Sequence, residues 1–178
     1  MAIPRNPSTN RRVWCSCTVI DYLAGTARAN PVCNQIIQQA ERGQTQIVVS
    51  TLALAEVAKI DGLQDSQAED KIKEFFDRHY VIPAAVDIAV ADIARYLVRK
   101  YTIAPKLRPM DAIHIATAML YRVPVLETFD SDLWKVSGQE GDPPILIQTP
   151  TYVGTVSMFD GDASSTAAAS LPSGPPAS

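Results

Sequence analysis

Short apolar runs separated by longer segments of helical period constrain this chain more than any other feature. Val13-Trp14 begins one run, which Cys15 and Ser16 end; Ile47-Val48-Val49, Val123 to Thr128 and Ile145-Leu146-Ile147 make three more. Each is too short for a helix, so each reads as a strand. Their apolar, non-alternating character fits burial on both faces of a sheet. Between them the period changes. Val19 to Leu23 opens a helix or turn, and residues 31–42 carry Val32, Ile36 and Ala40 at helical spacing. Ser50 can cap a helix over 51–60, and 66–78 sets Ile72, Phe75 and Phe76 on one face. Val81-Ile82-Pro83 reads as a brief extended linker, and 84–100 carries the stripe Val86, Ala89, Val90, Ile93 and Leu97. Pro109 marks the start of a helix that runs through Asp111 to Tyr121. Strands joined through helices pair in parallel. The expected fold class is therefore α/β: a three-layer α/β/α sandwich on a short, mainly parallel sheet of about four or five strands.

The 178 residues suit one domain. The sequence predicts a flexible N-terminus over 1–11, a folded unit over 12–153 and a disordered tail over 154–178. The far end of that tail is dominated by Ser, Ala, Gly and Pro, with Leu171 its one sizeable apolar residue. Such a composition buries too little apolar surface to offset the entropy of ordering. No apolar run reaches the roughly 18–20 residues of a membrane span, and Met1 to Arg12 has no apolar core of a secretory leader. Three cysteines, Cys15, Cys17 and Cys33, make no disulfide framework, so a reduced, cytoplasmic protein is expected. Sixteen basic against 19 acidic residues give a net charge of −3. That balance lacks the chain-wide basic surplus of many nucleic-acid binders, leaving only a local patch, Arg99, Lys100, Lys106 and Arg108.

Ligands of open parallel sheets bind outside the carboxyl ends of the strands. Acids fall there at three places. Glu56 is the one charged residue in Leu52-Ala53-Leu54-Ala55-Glu56-Val57-Ala58, where a carboxylate needs a partner or a wet cleft. Asp111 lies in a helix first turn, where the dipole alone favours an acid. Asp130 and Asp132 follow a strand, a position that equally suits an Asx turn or cap. Carboxylates gathered at one edge repel unless a cation neutralises them, and hard divalent ions, Mg²⁺ or Mn²⁺, are the natural partners. A site of that kind suits phosphodiester hydrolysis.

Three segments, Ser50-Thr51-Leu52-Ala53-Leu54-Ala55-Glu56, Asp111-Ala112-Ile113-His114-Ile115-Ala116-Thr117-Ala118 and Thr128-Phe129-Asp130-Ser131-Asp132-Leu133, resemble the PIN domain family in order and spacing. The resemblance covers about residues 12–150, since Val13 to Leu23 is similar to the family's opening strand and helix. It implies a metal-dependent endoribonuclease cutting RNA, with Glu56, Asp111 and Asp130 as catalytic and metal-site acids and Asp132 as an extra carboxylate. Thr128, Cys15 and Ser16 would support the site, and Arg99, Lys100, Lys106 and Arg108 would steer RNA. Many members are VapC-like toxins, which implies an antitoxin partner and a homodimer. One position departs from the family: its first strand normally ends in Asp, and here Cys15 stands there, a soft ligand for a hard ion. A naturally inactive member, an inactivating substitution and a thiolate-tolerant site for a softer metal are all compatible with Cys15. The alternative function is a non-catalytic PIN-like binding or assembly module. Cys15-x-Cys17 fits no zinc spacing, and His79 and His114 stand alone in the sequence.

Overall fold

The computed structural model describes residues 10–152. The tail expected over 154–178 and residues 1–9 of the expected flexible start lie outside the described residues. Residues 10 and 11 are in fact the first two of strand β1 (Asn10–Trp14). After it come helices α1 (Ser16–Ala24) and α2 (Asn30–Glu41), strand β2 (Thr45–Ser50), and helices α3 (Leu52–Glu56) and α4 (Asp65–Phe76). The second half holds β3 (Val81–Ala84), α5 (Ile88–Lys100), α6 (Pro109–Leu120), β4 (Val125–Glu127), α7 (Ser131–Trp134) and β5 (Leu146–Gln148).

All pairings are parallel, and the strand order is β3-β2-β1-β4-β5. Every strand therefore ends at the same edge, and β1 is central. Successive side chains leave a strand on opposite faces, and Val13 and Trp14 accordingly join different cores. Val13, Val48, Leu126 and Ile147 pack with residues of α5 and α6, including Val90, Leu97, Ala112 and Ile115. Trp14, Ile47, Val49 and Val81 pack on the other face with Val19, Cys33, Ile36, Ile72 and Phe75. Two buried cores flanking one parallel sheet make the expected three-layer α/β/α sandwich.

Local readings needed correction. Val81-Ile82-Pro83 is strand β3, not a linker. It is an edge strand bonded to β2 alone, where Pro83 faces solvent and its missing N–H is harmless. The helix expected over 51–60 stops at Glu56, and Thr51 is its N-cap residue. Ser50 ends β2 instead, though its Oγ still accepts from the Leu52 N–H at 3.2 Å. The helix expected from 84 starts at Ile88, because Asp87 caps it with Oδ1 accepting from the N–H groups of Ala89 and Val90, each at 3.0 Å. Val86 and Ala89 are consequently exposed, and the buried line of α5 is Val90, Ala94 and Leu97.

Candidate active site

The carboxyl ends of β1, β2 and β4 open onto a cleft of about 340 Å³ lined by Cys15, Ser16, Cys17, Glu56, Arg108, Asp111, His114, Thr128 and Asp130, with Ile20 and Leu133. Most of these side chains arrive at or near the end of an element. Cys15 follows β1 directly and caps α1, whose first residue is Ser16. Glu56 is the last residue of α3. Arg108 caps α6, Pro109 fills its first turn, and Asp111 stands there with it, where unpaired backbone N–H groups favour an anion. Thr128 follows β4, and Asp130 caps α7 by accepting from the Asp132 N–H at 2.9 Å.

Two groups of contacts divide the cleft. On one wall, Ser16 Oγ donates to Glu56 Oε2, and His114 Nε2 lies 3.0 Å from Ser16 Oγ and 3.1 Å from Glu56 Oε2. The two oxygens facing Nε2 assign its proton to that nitrogen, leaving buried Nδ1 without a hydrogen-bond partner among the described residues. The His114 hydrogen bond, helped by that of Ser16, holds the Glu56 carboxyl below the usual carboxylate range against the opposing effect of burial. On the other wall, Arg108 bridges two acids. Its Nε donates to Asp111 Oδ2 at 2.6 Å, and its Nη2 to Asp111 Oδ1 at 3.2 Å and Asp130 Oδ2 at 2.9 Å.

The floor is sulfur and hydroxyl. Cys15 Sγ lies 2.7 Å from Cys17 Sγ and donates to Thr128 Oγ1 at 3.1 Å, while Cys17 Sγ lies 3.2 Å from the same oxygen. Thr128 Oγ1 also accepts from the Asp130 N–H at 3.0 Å, tying the floor to the second wall.

Glu56, Asp111, Asp130, Thr128, Cys15, Ser16 and Arg108 thus share one cleft. Other candidates lie elsewhere. Asp132 is exposed and paired with Lys135 at 2.6 Å. Lys100 pairs with the buried Glu140 at 2.7 Å. Arg99 borders a separate apolar cavity formed with Ala94, Val98 and Ile113, and Lys106 is exposed on the loop before α6. The sequence leaves His114 a lone histidine, although its place three residues after Asp111 on one helix puts both on the same face. It also places Arg108 in a general basic patch, whereas the guanidinium lies between two acids.

The donor chemistry of the second wall fits a hard cation. Asp111 and Asp130, from separate elements, already share one positive group, the Arg108 guanidinium, whose side chain is 67% exposed. Glu56 is turned to Ser16 and His114 instead. Among the described residues, no group of three or more His, Cys, Asp or Glu side chains stands close enough to hold a metal ion together. Two carboxylates with water and substrate oxygens nevertheless suffice for Mg²⁺.

The family model of the PIN domain matches residues 19–139. No curated protein matches the chain. Among solved structures, the chain is similar to one described as VapBC2 from Rickettsia felis bound to a DNA fragment from their promoter. The TM-score is 0.55 at 13% identity, with 78% of this chain and 98% of that one covered. It is also similar to a toxin-antitoxin complex from Klebsiella pneumoniae, with a TM-score of 0.55 at 21% identity, covering 80% of this chain and 99% of that one.

Proposed function

Because this chain belongs to the PIN domain family, we propose that its cleft is a divalent-metal-dependent endoribonuclease site that hydrolyses RNA phosphodiester bonds. The observation that carries this reading is the convergence of Glu56, Asp111 and Asp130, from α3, α6 and the start of α7, on one cleft at the carboxyl edge of the sheet. Asp111 and Asp130 would hold Mg²⁺ or Mn²⁺ in place of the Arg108 guanidinium, with Glu56 lining the facing wall. The ion supplies a counter-charge for the phosphate and Lewis acidity for the attack of water. Arg108, once displaced, is a cation beside the cleft and steers the RNA backbone. Ser16 and His114 keep Glu56 ionised and aimed, and Thr128 fixes the Asp130 backbone.

The similarity to a VapBC2 structure and to a toxin-antitoxin complex supports a toxin role, and we propose an antitoxin protein as the partner. We further propose a cytoplasmic homodimer. Cys15 favours a second reading, a PIN-like binding module without turnover, because it supplies sulfur where the resemblance expects a hard acid.

Mn²⁺ titration and RNA cleavage separate the two. For the nuclease, Asp111→Asn weakens Mn²⁺ binding more than tenfold, Arg108→Gln strengthens it by removing the competing cation, and Cys15→Asp gives or raises cleavage. A Cys15→Asp protein that stays inert, together with Mn²⁺ affinity indifferent to Asp111→Asn and Glu56→Gln, would overturn the nuclease reading.

A further inference from the structure

We propose that Cys15 and Cys17 are a redox-active dithiol that closes into an intrachain disulfide by exchange with a low-molecular-weight disulfide. The two sulfurs stand 2.7 Å apart on the cleft floor. A tetrahedral ion held by both thiolates at ordinary zinc–sulfur distances would set them about 3.8 Å apart, and a covalent bond about 2.0 Å. The observed spacing falls nearer the bond, which favours disulfide chemistry over a soft-metal chelate.

The roles of the two sulfurs follow from where each sits. Cys17 is partly exposed and lines the cleft, whereas Cys15 is 4% exposed beneath it. An incoming disulfide therefore meets Cys17 first. Cys17 is also the better thiolate. It lies in the first turn of α1, where backbone N–H groups favour negative charge. Thr128 Oγ1, at 3.2 Å, already accepts from Cys15 Sγ and from the Asp130 N–H, so its own hydrogen is left to donate to Cys17. The thiol of Cys17 is accordingly brought down to about 6, with the Cys15 hydrogen bond the largest cause, while burial pushes Cys15 up.

The reaction runs in two exchanges. The Cys17 thiolate attacks one sulfur of the external disulfide, giving a mixed disulfide and releasing one thiolate. That thiolate takes the Cys15 proton, and the Cys15 sulfur then attacks Cys17 and expels the second thiolate. The protein dithiol is oxidised by two electrons and the external disulfide is reduced to one thiol and one thiolate. Cys33, buried in the core beneath α1 and α2 away from the cleft lining and pushed up to about 12 by burial, takes no part and serves as an internal control.

The test exposes the full chain to oxidised glutathione, counts thiols after denaturation and maps peptides without reductant. Three free cysteines should fall to one, with Cys15 linked to Cys17, Cys33 free and dithiothreitol restoring all three. Cys15→Ser should trap a stable glutathione adduct on Cys17, and Cys17→Ser should take up none. Three persisting thiols, an unresolved adduct on wild-type Cys17, or a link through Cys33 would overturn the proposal. The wild-type peptide map decides even if a variant fails to fold.

Discussion

Glu56 shows how much of a site is decided by partners distant in sequence. Its position after a strand was readable, because an isolated carboxylate in an apolar helix needs an outlet and α/β folds provide one at the strand ends. Its partners were not readable: Ser16 lies 40 positions away and His114 lies 58, and neither contact leaves a local pattern. Arg108 illustrates the converse, since its three-residue spacing from Asp111 was visible but its reach to Asp130 across 22 positions was not. The hydrogen bonds on Glu56 make stability depend on pH with a definite sign. Its folded-state carboxyl is depressed, so its contribution is present above the ordinary value of 4.5 and is lost as pH falls through the lower folded value. Ser16→Ala should therefore raise the Glu56 titration midpoint toward that value. The stability deficit of the variant should be full at neutral pH and shrink in acid, as read by carboxyl-selective NMR titration and urea unfolding at several pH values.

Among elements, the buried ones were the most legible. β2 is continuously apolar at Ile47-Val48-Val49, and burial on both faces leaves such a run few alternatives. β3 was missed because a proline normally argues against a strand, and only its edge position removes the objection. The start of α5 was missed for another reason: Val86 continues the apolar stripe in sequence, yet Asp87 ends the extended segment by capping the helix after it. That cap is a testable element on its own. Asp87→Ala should cost about 1 kcal/mol, within roughly 0.5–2 kcal/mol, while Asp87→Asn costs less because it keeps an acceptor. Urea midpoints of the two variants against wild type measure the difference, with cleft properties unaffected.

At the scale of the whole molecule, the parallel class followed from alternation, but strand order did not, because short crossovers permit several. One buried polar clasp holds the central pair of strands. Arg12 Nη1 donates to Glu127 Oε1 at 2.8 Å and to the Thr151 carbonyl at 3.1 Å, while Trp14 Nε1 donates to Glu127 Oε2 at 2.7 Å and the Thr151 N–H to Oε1 at 3.1 Å. Desolvation pushes the Glu127 carboxyl up, and the Arg12 charge opposes it. Glu127→Ala leaves Arg12 charged and buried, so it should cost about 3–5 kcal/mol. Chemical denaturation followed by the fluorescence of Trp14, which is wholly buried, would register the loss as an earlier transition.

The strand order has a consequence for synthesis. With β1 in the middle, Ser16 and Glu56 belong to the part of the chain made first, and Asp111, Thr128 and Asp130 to the part made later. A growing polypeptide on the ribosome can lay β2 and β3 against β1 while the opposite side of the sheet is still untranslated. The constellation stays incomplete until the segment through Leu133 has emerged, so the first-made half of the sheet carries only one wall of the cleft.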